Sequence, residues 1–382
     1  MTVSHKINNL QIRFLHKFIP VKHLYLTLLL AAPLFVIAQK NVDLDKYRLT
    51  VHYMSLPQQR LDSTYRTFHV EVEGTRLMQP LMEELSPEAS VRLEGWRKME
   101  SGGHVSVQVK LGDLLPEGFS VKERVETKKN GNGIVTGTKT FYYQEVIYTF
   151  EAAATIADYK GMHIMDQDLS SRQYKRVYRS PEFQVKQLAE GYFLLNSPSI
   201  TKELFRKEVM QAMHTLSENL TAQFGYREVA VNDNMWIIDS KKHPEYEAWR
   251  KAFSVMSDVL FNMDANTPID GAREKLAPVI NYFERIRTLY TSTKKHDRKI
   301  RYATYYNLAV LYYYLDDPQA MMREANGLVL NDYDTRDGKA FEQTAAWLKN
   351  VFQQNNIYTR HFPVNTTLFR GPYEKADISR IN

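Results

Sequence analysis

Apolar and polar residues alternate through two stretches of the first half. Phe68, Val70 and Val72 sit between Thr67, His69, Glu71 and Glu73, and Val105, Val107, Val109 and Leu111 sit between Ser106, Gln108 and Lys110. Period two turns successive side chains to opposite faces, so both stretches predict half-buried strands. A long hairpin follows: Val121 to Lys128 leads into Lys129-Asn130-Gly131-Asn132-Gly133, whose Asn-Gly pairs suit positive φ, and Phe141 to Phe150 returns with β-branched and aromatic residues. Arg48–Tyr53, Ala89–Trp96, Thr155–Tyr159 and Gln173–Tyr178 are further expected strands. Strands of this number with turn signals between them predict an antiparallel β-sandwich-like region, either one domain or two small ones divided near Pro116-Glu117-Gly118. Leu77, Met78, Leu81, Met82 and Leu85 have helical spacing. They read as a helix packed over the end of the sandwich, with a Met-lined binding groove as the alternative.

The period changes in the second half. Ile200, Leu204, Val209, Met213, Leu216, Leu220 and Phe224 recur at steps of three to five, with Ser199 placed to cap the N-terminus and Gly225 to stop the helix. Further helices are expected at about 244–262, 269–291, 299–315, 318–330 and 337–353, joined by short links such as Asn266-Thr267-Pro268 and Asp316-Asp317-Pro318. Short links make neighbouring helices antiparallel, giving a stack of helical hairpins.

One of these hairpins carries a signature: Tyr305-x2-Leu308-Ala309-x2-Tyr312, then Pro318 and Ala320 opening a second helix with Ala325 and Leu328. It resembles the tetratricopeptide repeat (TPR), whose small residue lets paired helices approach closely. A looser echo, Tyr246, Trp249 and Phe253 followed by Ala272, Leu276 and Val279, is out of register with that repeat, so the resemblance implies a short, irregular TPR-like array. With Lys6, Arg13, Lys17 and Lys22 before an apolar run from Leu24 to Ile37 read as an export signal, the order of signal, sandwich and array is similar to uncharacterised exported proteins of some Gram-negative bacteria. The resemblance implies protein or peptide binding in a concave groove. The residues expected to line it are those of the first helix that do not face its pair: Tyr306, Asn307, Val310 and Tyr313.

The N-terminus alters the reading of charge. Lys6, Arg13, Lys17 and Lys22 precede an apolar run from Leu24 to Ile37 that ends in Ala38, the order of a cleavable secretory signal rather than a membrane span. Cleavage after Ala38 removes four of the 50 Lys and Arg residues and none of the 44 acids, so the mature charge is +2 rather than +6. Nucleic-acid binding, which wants a concentrated basic surface, is not expected. The chain has no cysteine, which excludes disulfides, thiolate catalysis and a lipidated cysteine anchor. The expected location is the periplasm, with outer-membrane association or secretion as alternatives, and with no transmembrane span after cleavage.

The expected organisation is therefore a multidomain α+β chain: signal peptide 1–38, β-rich region 39–180, helical TPR-like region 181–358 and C-terminal tail 359–382. Its chemistry is sparse. Asp332-x-Asp334-x2-Asp337-Gly338 has Arg336, Asp337 and Gln343 where a calcium loop needs a ligand, Gly and Glu, so it reads as a helix-capping turn. Asp166 and Asp168 read as a solvated loop. His52, His69, His104 and His163 lack short-range ligand spacing, with His163 read as a core or edge residue, and no metal or cofactor is expected. Ser292-Thr293-Lys294-Lys295 has no partner motif for nucleophilic catalysis. The basic run Lys294, Lys295, Arg298, Lys299 and Arg301 reads as a solvated helix face, with an acidic partner or anionic lipid as the alternative. The expected function is a non-enzymatic exported scaffold binding a protein or peptide. A glycan-binding module using Trp96, Tyr142 or Tyr148 is the second reading, and a hydrolase with a site between the halves the third.

Overall fold

The computed structural model describes residues 42–374. The expected signal segment, and the last residues of the expected tail, lie outside the described residues. What is described is a mixed α+β structure with a β-rich region towards the N-terminus and a helical region towards the C-terminus.

The central sheet has five strands in the order β3 (Arg97–Lys98), β2 (Thr67–Gly74), β4 (Val105–Leu111), β7 (Ala152–Asp158) and β8 (His163–Ser170). The alternating segments fall on β2 and β4, and Val105, Val107 and Val109 are fully buried. The expectation of an antiparallel sandwich is corrected in one respect, because β2 pairs in parallel with both β3 and β4. Alternation reports which face is buried and is silent on strand direction. The return from β2 runs through two short helices, α1 (Gln79–Leu85) and α2 (Pro87–Ser90). Part of the expected strand Ala89–Trp96 is thus helical, and Trp96 ends that connection with its indole N–H on the Phe224 carbonyl at 2.8 Å.

The layer facing this sheet is one long helix, α3 (Lys186–Phe224). Phe205, Val209, Met213, Leu216, Leu220 and Phe224 join its core, and Gly225 follows the last turn as expected. The start was misplaced: Ser199 is not a cap but lies inside the helix, as does Pro198. Proline lacks an N–H and normally breaks a helix interior. Here the helix runs through Pro198, and the side chains of Asn196 and Ser199 bond the Tyr192 and Asn196 carbonyls beside it at 2.8 and 2.9 Å. The N-terminal part of α3 packs Phe193, Ile200 and Leu204 on a second, three-stranded sheet of β5 (Leu115–Lys129), β6 (Val135–Thr149) and β9 (Arg176–Arg179). Between the layers Glu208, 6% exposed, accepts from Tyr148 Oη at 2.9 Å and pairs with Arg176 Nε at 2.8 Å.

The helical region contains α4 (Tyr246–Phe261), α5 (Asp270–Leu289), α6 (Lys295–Tyr314), α7 (Pro318–Asn331) and α8 (Thr335–Asn355), close to the expected spans. Its core also takes in a two-stranded ribbon: β1 (Leu44–Ser55) pairs antiparallel along its whole length with β10 (Arg227–Ile238). Division of the chain near residue 180 therefore differs from the packing. The first strand, expected in the sandwich, buries Leu49 and Val51 among Trp249, Phe283 and Leu308, while α3 belongs to the sheets. The segment after α8 returns across both regions. The Arg360 carbonyl accepts from Met54 N–H at 2.8 Å, and the Arg97 guanidinium grips Glu374 at 2.8 and 3.0 Å.

Candidate interaction surface

Of the four residues expected to line a groove, Asn307 and Val310 are buried and Tyr306 and Tyr313 are half-buried against other parts of the chain. Asn307 is fully buried: its side-chain amide accepts from Trp236 N–H and donates to the Trp236 carbonyl, both at 2.8 Å. A helix side chain thus pairs with the edge of β10 as a further strand would. Val310 is 1% exposed in the same core, and half-buried Tyr306 meets Trp236 and Phe341 edge-on at centroid distances of 6.1 and 5.0 Å. Burial and the nearby carboxylates of Asp233 and Asp337 push the Tyr306 hydroxyl up to about 12. Tyr313 forms one wall of a slot for Arg360. The guanidinium lies 4.3 Å from the Tyr313 ring centroid and 4.1 Å from that of Tyr53, with Nε on Asp316 Oδ1 at 2.7 Å. The helix face chosen for binding an extended peptide holds this protein's own strand and strap, and Asn307 and Val310 are closed to a partner.

The aromatic residues of the glycan reading are also accounted for internally. Trp96 and Tyr148 are buried at 7% and 2%, and Tyr142 is half-buried where it exchanges backbone hydrogen bonds with Phe183 at 2.7 and 2.8 Å. The four histidines do not converge. His52 lies exposed on the ribbon, His69 accepts from Gly103 N–H at 3.1 Å, His104 contacts Thr67 Oγ1 at 2.8 Å, and His163 pairs with Asp166 at 3.0 Å on the edge strand β8. Asp166 and Asp168 are strand residues rather than a loop. Among the described residues no group of three or more His, Cys, Asp or Glu side chains is placed to hold a metal ion. The acidic turn before α8 is a cap: Asp334 accepts from Arg336 N–H at 3.1 Å, and Gly338 gives close approach to α7, where a Cβ would meet Val329 Cγ2 at 2.7 Å. The basic run is partly spent on internal contacts, with Arg298 on Asp332 and Arg301 on Asn331 and the Ser292 carbonyl.

What remains open is the hairpin of β5 and β6. Asn130 organises its turn, accepting from Asn132 and Ile134 N–H at 3.1 and 2.9 Å, and of the two Asn-Gly glycines Gly133 takes the left-handed conformation at φ +78°. Every residue from Lys122 to Lys139 is exposed. At about 3.3 Å per residue this arm stands roughly 25 Å beyond the body. Its residues include Lys122, Arg124, Lys128, Lys129 and Lys139 against Glu123 and Glu126, with Val125, Ile134 and Val135 exposed. At its base Phe119 meets Phe193 of α3 at 5.3 Å. Alongside, Leu188, Leu194 and Leu195 are exposed at 58%, 79% and 81%. Leu188 and Leu195 are two turns apart and lie on one stripe.

No protein-family model matches the chain, and no curated protein matches it. Among the described residues no helix is long and apolar enough to cross a membrane.

Proposed function

We propose that this is a non-enzymatic exported interaction protein that meets its partner through the β5–β6 arm and the apolar start of α3. One observation carries the reading: from Lys122 to Lys139 both faces of the arm are exposed, so these residues add little to the core. A long two-stranded arm exposed on both faces, beside leucines 58–81% exposed, is an aggregation hazard in a protein without a use for it. The excess of Lys and Arg on the arm favours an acidic partner, with the apolar residues supplying the buried centre of the contact. The short, TPR-like array then serves as a frame. Its close helix approaches, Tyr305 against Gly327 among them, hold the ribbon instead of leaving a groove open. Export rests on the order of charge, apolar run and small residue in the first 38 positions.

The test places a photo-crosslinking amino acid at Val125, Ile134 or Leu195, with exposed Leu330 on α7 as control. A discrete protein adduct from the first three positions and none from Leu330 supports the reading. Uniform labelling, or no adduct at any position, refutes it. Export is checked separately by N-terminal sequencing of the envelope protein, expected to begin at Gln39.

A further inference from the structure

Where the returning C-terminal strap crosses the end of the five-stranded sheet, a depression of about 580 Å³ opens. Its lining includes Ser63, Thr64, Arg66, His104, Tyr159 and Arg370, with no carboxylate. The surrounding acids are already engaged. Asp62 accepts from the amide and hydroxyl of Thr64 at 2.9 and 2.8 Å, and Asp158 from Tyr65 Oη and the amides of Lys160 and Met162. Glu374 is held by Arg97 and the Gly371 amide. Arg66 spends one nitrogen on the Tyr65 carbonyl at 2.7 Å, and Arg370 is exposed, lies near Glu374 and forms no ion pair among the described residues.

The histidine adds a ring held in place by the fold. Thr67 is fully buried, and its Oγ1 accepts the His104 amide at 3.1 Å and lies 2.8 Å from His104 Nδ1. With the Thr67 hydroxyl donating to Nδ1, the neutral ring carries its proton on Nε2. Burial holds the imidazole below its ordinary pKa, which keeps this neutral form near pH 7. Tyr65 stacks on the ring at a centroid distance of 5.2 Å and fixes its plane.

We propose that this depression is a phosphate-binding site, with the guanidiniums of Arg66 and Arg370, His104 Nε2–H and the Ser63 hydroxyl as donors. Tetrahedral oxyanions take several charge-assisted hydrogen bonds at once, which two guanidiniums and neutral donors supply and an acid-lined pocket does not. The phosphate is that of a small soluble ester or of a lipid headgroup.

The test uses the full mature chain with two probes: inorganic phosphate followed by calorimetry, and phosphatidylcholine vesicles with and without phosphatidic acid followed by co-sedimentation. Saturable phosphate binding weakened about tenfold by Arg370→Gln, and unchanged by the remote Lys241→Gln, establishes the site with a soluble ligand. Vesicle binding that needs phosphatidic acid and is lost in Arg370→Gln, without inorganic phosphate binding, establishes the headgroup. Neither probe binding, or binding that survives Arg370→Gln, overturns the proposal. Survival on vesicles would trace to the basic arm instead.

Discussion

Arg360→Ala is the substitution whose cost the structure fixes best. The wild-type side chain is 2% exposed, its Nε is 2.7 Å from Asp316 Oδ1, and its plane lies between the rings of Tyr53 and Tyr313. Truncation leaves the Asp316 carboxylate buried with hydrogen bonds from Thr359 Oγ1 and the Arg360 amide but no counter-charge. Removing one partner of a buried pair costs about 3–5 kcal/mol, and the emptied slot between two tyrosines places this case near the upper end. With a urea slope near the top of the usual range, about 3 kcal/mol per molar, the midpoint of the transition that includes the helices should fall by more than about 1 M. Asp316→Asn leaves the buried guanidinium without its counter-charge and turns an NH2 toward a donor, so it should cost a comparable amount. The double variant Arg360→Ala/Asp316→Asn should cost less than the sum of the single ones, with coupling above about 1 kcal/mol. A midpoint shift below about 0.3 M, or strict additivity, would refute the view of this contact as a buried, mutually dependent clasp.

Replacing residues 125–140 with Asn-Gly joins Arg124 to Phe141, which already face each other across the hairpin, and removes exposed or half-buried residues only. The melting temperature should change by no more than about 2 °C, since losing exposed residues is usually worth under about 0.5 kcal/mol, while the partner adduct disappears. Gly338→Ala sets a Cβ 3.0 Å from the Ala325 carbonyl oxygen and 2.7 Å from Val329 Cγ2, so denaturant unfolding should show a loss of about 1–3 kcal/mol despite the better helix propensity. Burial depresses the pKa of His361, whose Nδ1 meets the Asp264 carbonyl at 2.9 Å, and nearby Arg360 acts in the same direction against Asp316. Below about pH 6.5 the unfolded chain takes up this proton before the folded one does. Stability should therefore fall as the pH is lowered from 7.5 to 5.5, and thermal melts of His361→Asn should show a shallower fall.

The helices were legible because their buried residues repeat at helical spacing and their links are short. β4 was legible because strict alternation coincided with complete burial on one face. The losses have physical causes. β10 alternates too, with Val229, Val231, Met235 and Ile237 on one side, but Asn232-Asp233-Asn234 in its middle has the composition of a turn. In the fold Asp233 accepts from Tyr314 Oη at 2.9 Å and Asn232 from Thr50 Oγ1 at 2.8 Å, partners from distant segments that local sequence does not reveal. With β10 unseen, the face of α6 bearing Asn307 and Val310 looked vacant. Asn307 was expected to line a groove, yet its partner is Trp236 of the same chain. The arm was visible as a hairpin. That neither of its faces packs is a tertiary fact, and the exposed leucines of α3 were hidden because Ser199, read as the cap, put that stretch ahead of the helix.

The pairing of β1 with β10 has a consequence for biosynthesis. Thr50 and Asn232, which bond across the ribbon, are separated by 182 residues, and the central sheet, the arm and α3 all lie between them. At ordinary elongation rates the first strand waits about 10–40 s for its mate to be made. During that interval the intervening segment has every strand of its own two sheets and the helix that covers them. The sheet module is in effect a guest inside a split host, able to mature before the host can begin, and a chain stalled anywhere before residue 227 displays β1 as an unpaired strand open to capture.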